Sequence, residues 1–139
     1  MTGYVDSSAL LRVVLNEPHA LDDLPSYDAL ISSELLGVEC HRTIDRLRLS
    51  GALTLDEAAA RTHAVGQWLE GIDLVLLRPV VLSRASEPMP TPLGTLDALH
   101  LATALVWRDR KGVGPMMITH DEALGRAARA FGLAVSGMA

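Results

Sequence analysis

Apolar and polar positions follow two different periods along this chain. Short continuous apolar runs predict buried strands, and longer segments with apolar positions every three or four residues predict helices. The predicted strands are 4–5, 28–32, 72–77, 116–119 and 133–135. The predicted helices are 9–15, 33–49, 54–69, 80–86, 95–108 and 121–131, with a further helical turn at 19–24. Strands that alternate with helices predict an α/β fold with a parallel sheet covered on both faces.

Local signals mark several of the element boundaries. Ser7 and Ser8 are good N-cap residues for the first helix. Thr54 followed by Glu57 has the spacing of a capping box. Three prolines and a glycine between residues 87 and 94 predict a loop. Because no linker, repeat or low-complexity tract interrupts the pattern, we expect a single domain over residues 1–139.

Composition narrows the class of protein. The chain has 139 residues, 49% of them apolar, which argues against disorder and suits one domain with a sizeable core. No run approaches the ~18 apolar residues of a membrane span, and the N-terminus lacks the pattern of a signal peptide. Cys40 is the single cysteine, so an intramolecular disulfide and a thiolate metal site are excluded. We therefore expect a cytoplasmic protein with no membrane partner.

The charge balance is acidic, with a formal net charge of −5. Nucleic-acid binders are usually basic, which argues mildly against bulk phosphate binding. All but one of the 12 basic residues are arginine. Arginine gives bidentate phosphate contacts, although the same preference can reflect genome base composition. Both interpretations remain open from composition alone.

Four acidic residues share a local setting at strand–helix junctions or near the start of a helix, on its apolar side. They are Asp6, Glu39, Asp97 and Asp121. Carboxylates are rarely buried without compensation, and four of them together would repel one another unless a cation lay among them. Hard divalent cations such as Mg²⁺ prefer oxygen ligands of this kind. The pattern therefore predicts a divalent-cation site.

Helical spacing distinguishes Glu39 from Glu34. At about 100° per residue, the predicted inner face of this helix contains Leu35, Leu36, Thr43 and Leu47. Glu39 falls within that sector, whereas Glu34 lies nearly opposite and is expected to be exposed. The alternative for Glu39 is a salt bridge with Arg42 or Arg46 on the same helix.

Each of the other three acidic residues has a structural alternative. Asp6, Asp97 and Asp121 could each simply cap the helix that follows. Asp6 and Asp121 nevertheless follow predicted strands, and ligand sites in parallel sheets lie beyond the carboxyl ends of strands. His100 stands three residues after Asp97 and could hydrogen-bond to it as a supporting residue.

Three segments carry a family resemblance: YVDSSAL from Tyr4, LDALHLATAL from Leu96 and ITHDEAL from Ile118. Together they resemble PIN-domain ribonucleases, and within those the VapC-type toxins of type II toxin–antitoxin pairs. The resemblance implies a PIN-like three-layer α/β/α sandwich with a short parallel sheet. It also implies an acidic catalytic and metal-binding cluster with polar support. By position these are Asp6, Glu39, Asp97 and Asp121, supported by Ser7 and Thr119; His120 departs from the family pattern.

The resemblance further implies a toxin that cleaves RNA endonucleolytically with Mg²⁺ or Mn²⁺, by way of metal-activated water. It implies a homodimer, inhibited by a small antitoxin that inserts an arginine into the acidic site. Candidates for RNA contacts at the rim are Arg12, Arg42, Arg46 and Arg78. The alternatives are an RNA-processing nuclease of the same family that is not a toxin, and a non-catalytic module that binds RNA or protein.

Two other phosphoryl-transfer classes fit poorly. A haloacid-dehalogenase-type phosphatase needs a second aspartate two residues after the first, where this chain has Ser8. A receiver domain needs a lysine near a late strand end, and Lys111 stands in a glycine-rich turn instead.

Overall fold

The computed structural model describes residues 1–138, and its strands form one parallel sheet. The strands are β1 (Thr2–Val5), β2 (Ala29–Ser33), β3 (Ile72–Val75), β4 (Met116–Ile118) and β5 (Val135–Ser136). Their spatial order is β3-β2-β1-β4-β5. Gly3 pairs with Leu30 on one side and with Met116 on the other. The sheet therefore grows outward from β1 in both directions, and the strand order reverses between β1 and β4.

Helices connect the strands. They are α1 (Ser7–Val14), α2 (Leu35–Leu49), α3 (Leu55–Glu70), α4 (Pro79–Ala85), α5 (Thr95–Lys111) and α6 (Glu122–Ala130), with a 3₁₀ turn at Leu24–Ser26. Across residues 1–138, no helix has the length and apolar character needed to cross a bilayer.

Alternating strand residues divide the core between two faces of the sheet, because successive side chains of a strand point in opposite directions. Val5 and Ile118 pack with apolar residues of α1, α2 and α3. Their neighbours Tyr4 and Met117 pack with α5 and α6 on the other face. The result is the three-layer α/β/α sandwich expected from the resemblance, around the predicted parallel sheet.

The predicted helical turn at 19–24 is wrong. Asn16 and His19 have left-handed backbone angles, φ 53° and 63°, which are incompatible with a continuing right-handed helix. Pro18 between them further disfavours helical geometry. The next helical segment is the 3₁₀ turn that begins at Leu24.

The first helix also begins earlier than predicted. α1 starts at Ser7, and its N-cap is Asp6 rather than either serine. The carboxylate of Asp6 accepts the backbone N–H of Ala9 at 3.0 Å. Asp6 is thus both a capping residue and the first residue after β1.

The buried stripe of α2 differs from the predicted inner face. Its buried side chains are Leu36, Cys40 and Ile44, whereas Leu47 is only partly buried. The stripe is displaced because α2 packs against both α1 and α3, so it faces the space between two helices. Glu39 consequently lies at the edge of the stripe, next to the carboxyl ends of the strands.

Gly137 provides a test of how β5 is held beside β4. Its φ is 99°, and an added Cβ would lie 2.4 Å from the backbone oxygen of Thr119. Gly137→Ala should therefore lower the free energy of unfolding by roughly 1–3 kcal/mol. The matched control is Gly66→Ala in α3, where an added Cβ meets nothing within 4 Å. This substitution should raise the free energy of unfolding by about 0.5–1 kcal/mol. Equal effects in denaturant unfolding would contradict this packing.

Candidate active site

Two acidic segments leave the sheet side by side at the point where the strand order reverses. Asp6 directly follows β1, and Asp121 follows β4 after Thr119 and His120. The two strands are neighbours, with Val5 paired to Ile118. Reversal points of this kind open a crevice at the carboxyl edge of a parallel sheet, where ligands bind.

Asp6 is the most enclosed carboxylate of the site, with 2% of the residue exposed. Thr119 Oγ1 donates to it at 2.6 Å, and Ser8 Oγ lies 2.7 and 2.9 Å from its two oxygens. Burial raises the pKa of Asp6, while these hydrogen bonds and the N–H of Ala9 act in the opposite direction. The carboxylate is therefore held in one orientation by several donors.

Ser8 and Thr119 tie the ends of β1 and β4 together. Besides contacting Asp6, Ser8 Oγ accepts the backbone N–H of His120 at 3.0 Å. Thr119 Oγ1 accepts the backbone N–H of Asp121, also at 3.0 Å. Sequence reasoning treated Ser8 only as a helix cap and missed this link. The available signal was a hydroxyl two residues after a buried acid, where it can fold back onto the carboxylate.

Glu39 reaches the crevice from α2, with 14% of its side chain exposed. Its Oε1 lies 2.5 Å from His100 Nε2, and Ser7 Oγ donates to its Oε2 at 3.1 Å. The salt bridges considered as an alternative do not form: Arg42 pairs with Asp45, and Arg46 donates to Thr43 on the same helix.

His100 differs from its expected role beside Asp97. The ring is 1% exposed and lies between Glu39 and the Tyr4 hydroxyl, which is 2.7 Å from Nδ1. Burial raises the pKa of Tyr4, so its hydroxyl stays protonated and can donate to Nδ1. Nε2–H then donates to Glu39, so both ring nitrogens have a hydrogen-bond partner. His100 thereby connects β1, α2 and α5 and orients Glu39.

Asp97 lies in the first turn of α5, whose N-cap is Gly94, so it does not cap the helix itself. In residues 1–138 its carboxylate has no hydrogen-bond partner. Burial, followed by the negative charges of Asp121 and Asp6, raises the pKa of Asp97 to about 6; Glu39 adds to this effect and His100 opposes it. The ionised form of Asp97 is thus disfavoured first by burial and then by the charges of the other acids.

Asp121 completes the group as the N-cap of α6, where it accepts the backbone N–H of Leu124 at 2.8 Å. The capping interpretation is therefore correct for Asp121, although its charge also acts on Asp97. Glu122 points away and pairs with Arg126 on the surface. One of these two adjacent acids faces the crevice and the other faces solvent.

The donor set suits a hard divalent cation. Carboxylate and hydroxyl oxygens line the crevice, and within residues 1–138 none of the four carboxylates forms a salt bridge with arginine or lysine. Mg²⁺ and Mn²⁺ prefer such oxygen ligands. No three histidine, cysteine or acidic side chains in the described chain already form a compact ligand set. The carboxylates would therefore have to close around an ion.

Comparison with known proteins identifies the family of this chain and agrees with its fold. The PIN domain family model matches residues 3–130, and the chain therefore belongs to the PIN-domain family. It is 33% identical over 137 residues to Ribonuclease VapC46 of Mycobacterium tuberculosis (strain ATCC 25618 / H37Rv), covering 95% of this chain and 94% of that protein.

Two solved structures share the fold at low sequence identity. A toxin–antitoxin complex from Klebsiella pneumoniae matches with a TM-score of 0.66 and 14% identity, over 97% of both chains. PAE2754 from Pyrobaculum aerophilum matches with a TM-score of 0.63 and 18% identity, over 98% of this chain and 84% of that one.

The charge on Asp97 should destabilise the protein when no metal is bound. Because its pKa in the folded protein is about 6, the folded state binds more protons than the unfolded state between pH ~4 and ~6. The free energy of unfolding should therefore fall as the pH rises through this window.

At pH 7 in EDTA, Asp97→Asn should raise the free energy of unfolding by about 1 kcal/mol. That value allows for solvent screening and for lost attraction to the helix N-terminus. This gain in the free energy of unfolding should vanish near pH 4, where the carboxyl of Asp97 in the folded protein is neutral. Denaturant unfolding at both pH values measures this change, and a less stable Asn variant at pH 7 would contradict the raised pKa of Asp97.

Proposed function

We propose that this protein is a Mg²⁺- or Mn²⁺-dependent endoribonuclease and the toxin of a toxin–antitoxin pair. The observation that carries the proposal is the setting of Asp97, a partly buried carboxyl without a basic partner in the described chain. Its pKa is raised first by burial and then by the negative charges of Asp121, Asp6 and Glu39. Folding alone does not require such a cluster, and a divalent cation would relieve it. Membership of the PIN-domain family and similarity to a VapC ribonuclease support RNA as the substrate.

The four carboxylates suit different roles because they are held differently. Asp6 is fixed by its hydrogen bonds, whereas Asp97 is free to turn toward an ion; we propose both as direct metal ligands. Glu39 and Asp121 are held by His100 and by the cap of α6. These two can bind metal directly, through water, or orient the attacking water.

A bound divalent cation would lower the pKa of its water and stabilise charge on the phosphoryl group. The chain's own contribution is to hold the surrounding groups. Ser7 keeps Glu39 directed into the crevice, and Thr119 keeps Asp6 in place. Since the carboxylates interact, their protonation belongs to the cluster and not to one residue.

We further propose an antitoxin partner that inserts an arginine into this crevice. A guanidinium would replace the charge of the metal and pair with carboxylates that have no basic partner of their own. We expect the protein to be a homodimer. The α2–α3 pair is proposed to serve dimerisation and antitoxin binding; its inner residues belong to the core, while Leu49 and Leu55 at its tip are 68% and 71% exposed.

Metal-dependent cleavage is tested with purified, antitoxin-free protein. Structured RNA should be cut with Mn²⁺ and left intact with EDTA. Asp6→Asn and Asp97→Asn should each reduce cleavage by roughly a hundredfold or more, because losing a ligand removes several kcal/mol of stabilisation. Circular dichroism verifies that both variants fold.

The possible failures of this test are distinct. RNA that is bound but uncut by the wild type would favour the non-catalytic alternative. Cleavage without growth arrest on expression would favour an RNA-processing nuclease that is not a toxin. Equal cleavage by the wild type and both variants would reject the acidic site.

Two glutamates of the same helical segment provide a matched comparison. Glu34 is exposed and accepts the backbone N–H of Leu77 at 2.8 Å, away from the crevice. Glu34→Gln should therefore leave the cleavage rate within about twofold of wild type. Glu39→Gln should reduce it by roughly tenfold or more, since it removes charge from the proposed metal site. Equal losses in a timed cleavage assay would contradict the role assigned to Glu39.

A further inference from the structure

A cavity of about 380 Å³ opens beside the acidic crevice, between α2 and the start of α5. Ser7 and Glu39 belong both to its lining and to the candidate active site. Arg42 and Arg46 line it further along α2, about 4.5 and 10.5 Å from Glu39 along the helix axis at 1.5 Å per residue. We call this cavity the α2 groove. It is continuous with the acidic site and leads away from it along one helix.

The positive charge in the α2 groove is not explained by folding. In the described chain, no carboxylate lies within 4 Å of the Arg46 guanidinium, whose only hydrogen bond is to Thr43 Oγ1 at 3.1 Å. Arg42 pairs with Asp45, but its side chain is 63% exposed, and such surface pairs contribute little. Both arginines are therefore available to an anionic ligand.

Apolar side chains stand beside these charges. Val38 on α2 and Leu96 at the start of α5 line the groove and are 61% and 49% exposed. A groove that combines cationic side chains with exposed apolar surface fits a single nucleic-acid strand, whose phosphates meet the charges and whose bases meet the apolar surface. A basic segment would instead be repelled by the two arginines.

We propose that the α2 groove binds single-stranded RNA on one side of the bond to be cleaved. This inference rests on the proposed nuclease function. Arg42 and Arg46 contact backbone phosphates, and Val38 and Leu96 pack against a base or ribose. The proposed ligand of the α2 groove is therefore one strand and not a duplex.

The test measures the salt dependence of RNA binding in the Asp6→Asn background, which keeps the α2 groove and suppresses cleavage. The probe is a fluorescently labelled single-stranded RNA of about 15 nucleotides, titrated in EDTA at several salt concentrations. Each phosphate contact contributes about −0.7 to the slope of log K against log salt concentration for a single strand. Arg42→Gln and Arg46→Gln should each make the slope less negative by about 0.7.

Arg48→Gln is the matched control. Arg48 is on the same helix, but it pairs with Asp45 through Nε and Nη2 at 3.2 and 2.9 Å and lines the opposite cavity, between α2 and α3. This substitution removes the same charge from a residue that does not line the α2 groove. Because Arg42 and Arg48 share Asp45, the control is compared with Arg46→Gln. The slope of log K against log salt concentration for the Arg48→Gln variant should equal that of the Asp6→Asn parent. Val38→Ser should weaken binding severalfold and leave the slope unchanged.

The outcomes separate this inference from the nuclease proposal. If wild-type protein cuts RNA with Mn²⁺ but Arg46→Gln and Arg48→Gln have equal slopes, the α2 groove is not the RNA path. If RNA is not cut but binding still depends on Arg46, the groove stands and the nuclease proposal fails. Duplex RNA that binds as tightly as single strands, or polyglutamate that displaces the RNA through Arg46, would overturn the assignment to single-stranded RNA.

Discussion

The enclosed carboxylate of Asp6 is the interaction on which the rest of the site depends. It joins the end of β1 to the start of α1 through the Ala9 N–H, and to the end of β4 through Thr119. Ser8 adds a second link between these strand ends through His120. An ionised carboxylate at this depth is costly unless donors surround it. The same donors that reduce this cost also define the geometry of the crevice.

Around this fixed carboxylate, the remaining acids are held to different degrees. Glu39 and Asp121 have firm partners in His100 and in the first turn of α6, whereas Asp97 has none in the described chain. Burial, followed by the negative charges of Asp121 and Asp6, raises the pKa of Asp97. A site with one loosely held and several fixed carboxylates can close around a cation and gain stability in doing so.

Negative and positive side chains occupy separate regions around the crevice. Acidic groups lie at the carboxyl ends of the strands, and the arginines of the α2 groove begin one helical turn beyond Glu39. The net charge of −5 therefore does not reveal that the arginines of the α2 groove lie beside the acidic crevice. Net charge is a poor guide to nucleic-acid binding when a proposed metal site would contribute much of the negative charge.

The periodicity of the chain predicted most of the architecture, because strands and helices have different hydrophobic periods that remain visible without tertiary information. The strands were located to within two residues at each end. The turn at 19–24 was misjudged because left-handed residues such as His19 leave no periodic signal. The displaced stripe on α2 was missed because it depends on packing between α1 and α3.

By itself, the sequence determined which residues are candidates for the chemistry, because acids beside strand ends and at helix starts remain recognisable from local pattern alone. Only the tertiary structure decided their partners. His100 meets Glu39 across 61 positions of the chain, instead of Asp97 three residues away. Thr119 meets Asp6 across 113 positions. Such contacts follow from which strands and helices become neighbours, and that arrangement is a property of the whole fold, not of local sequence.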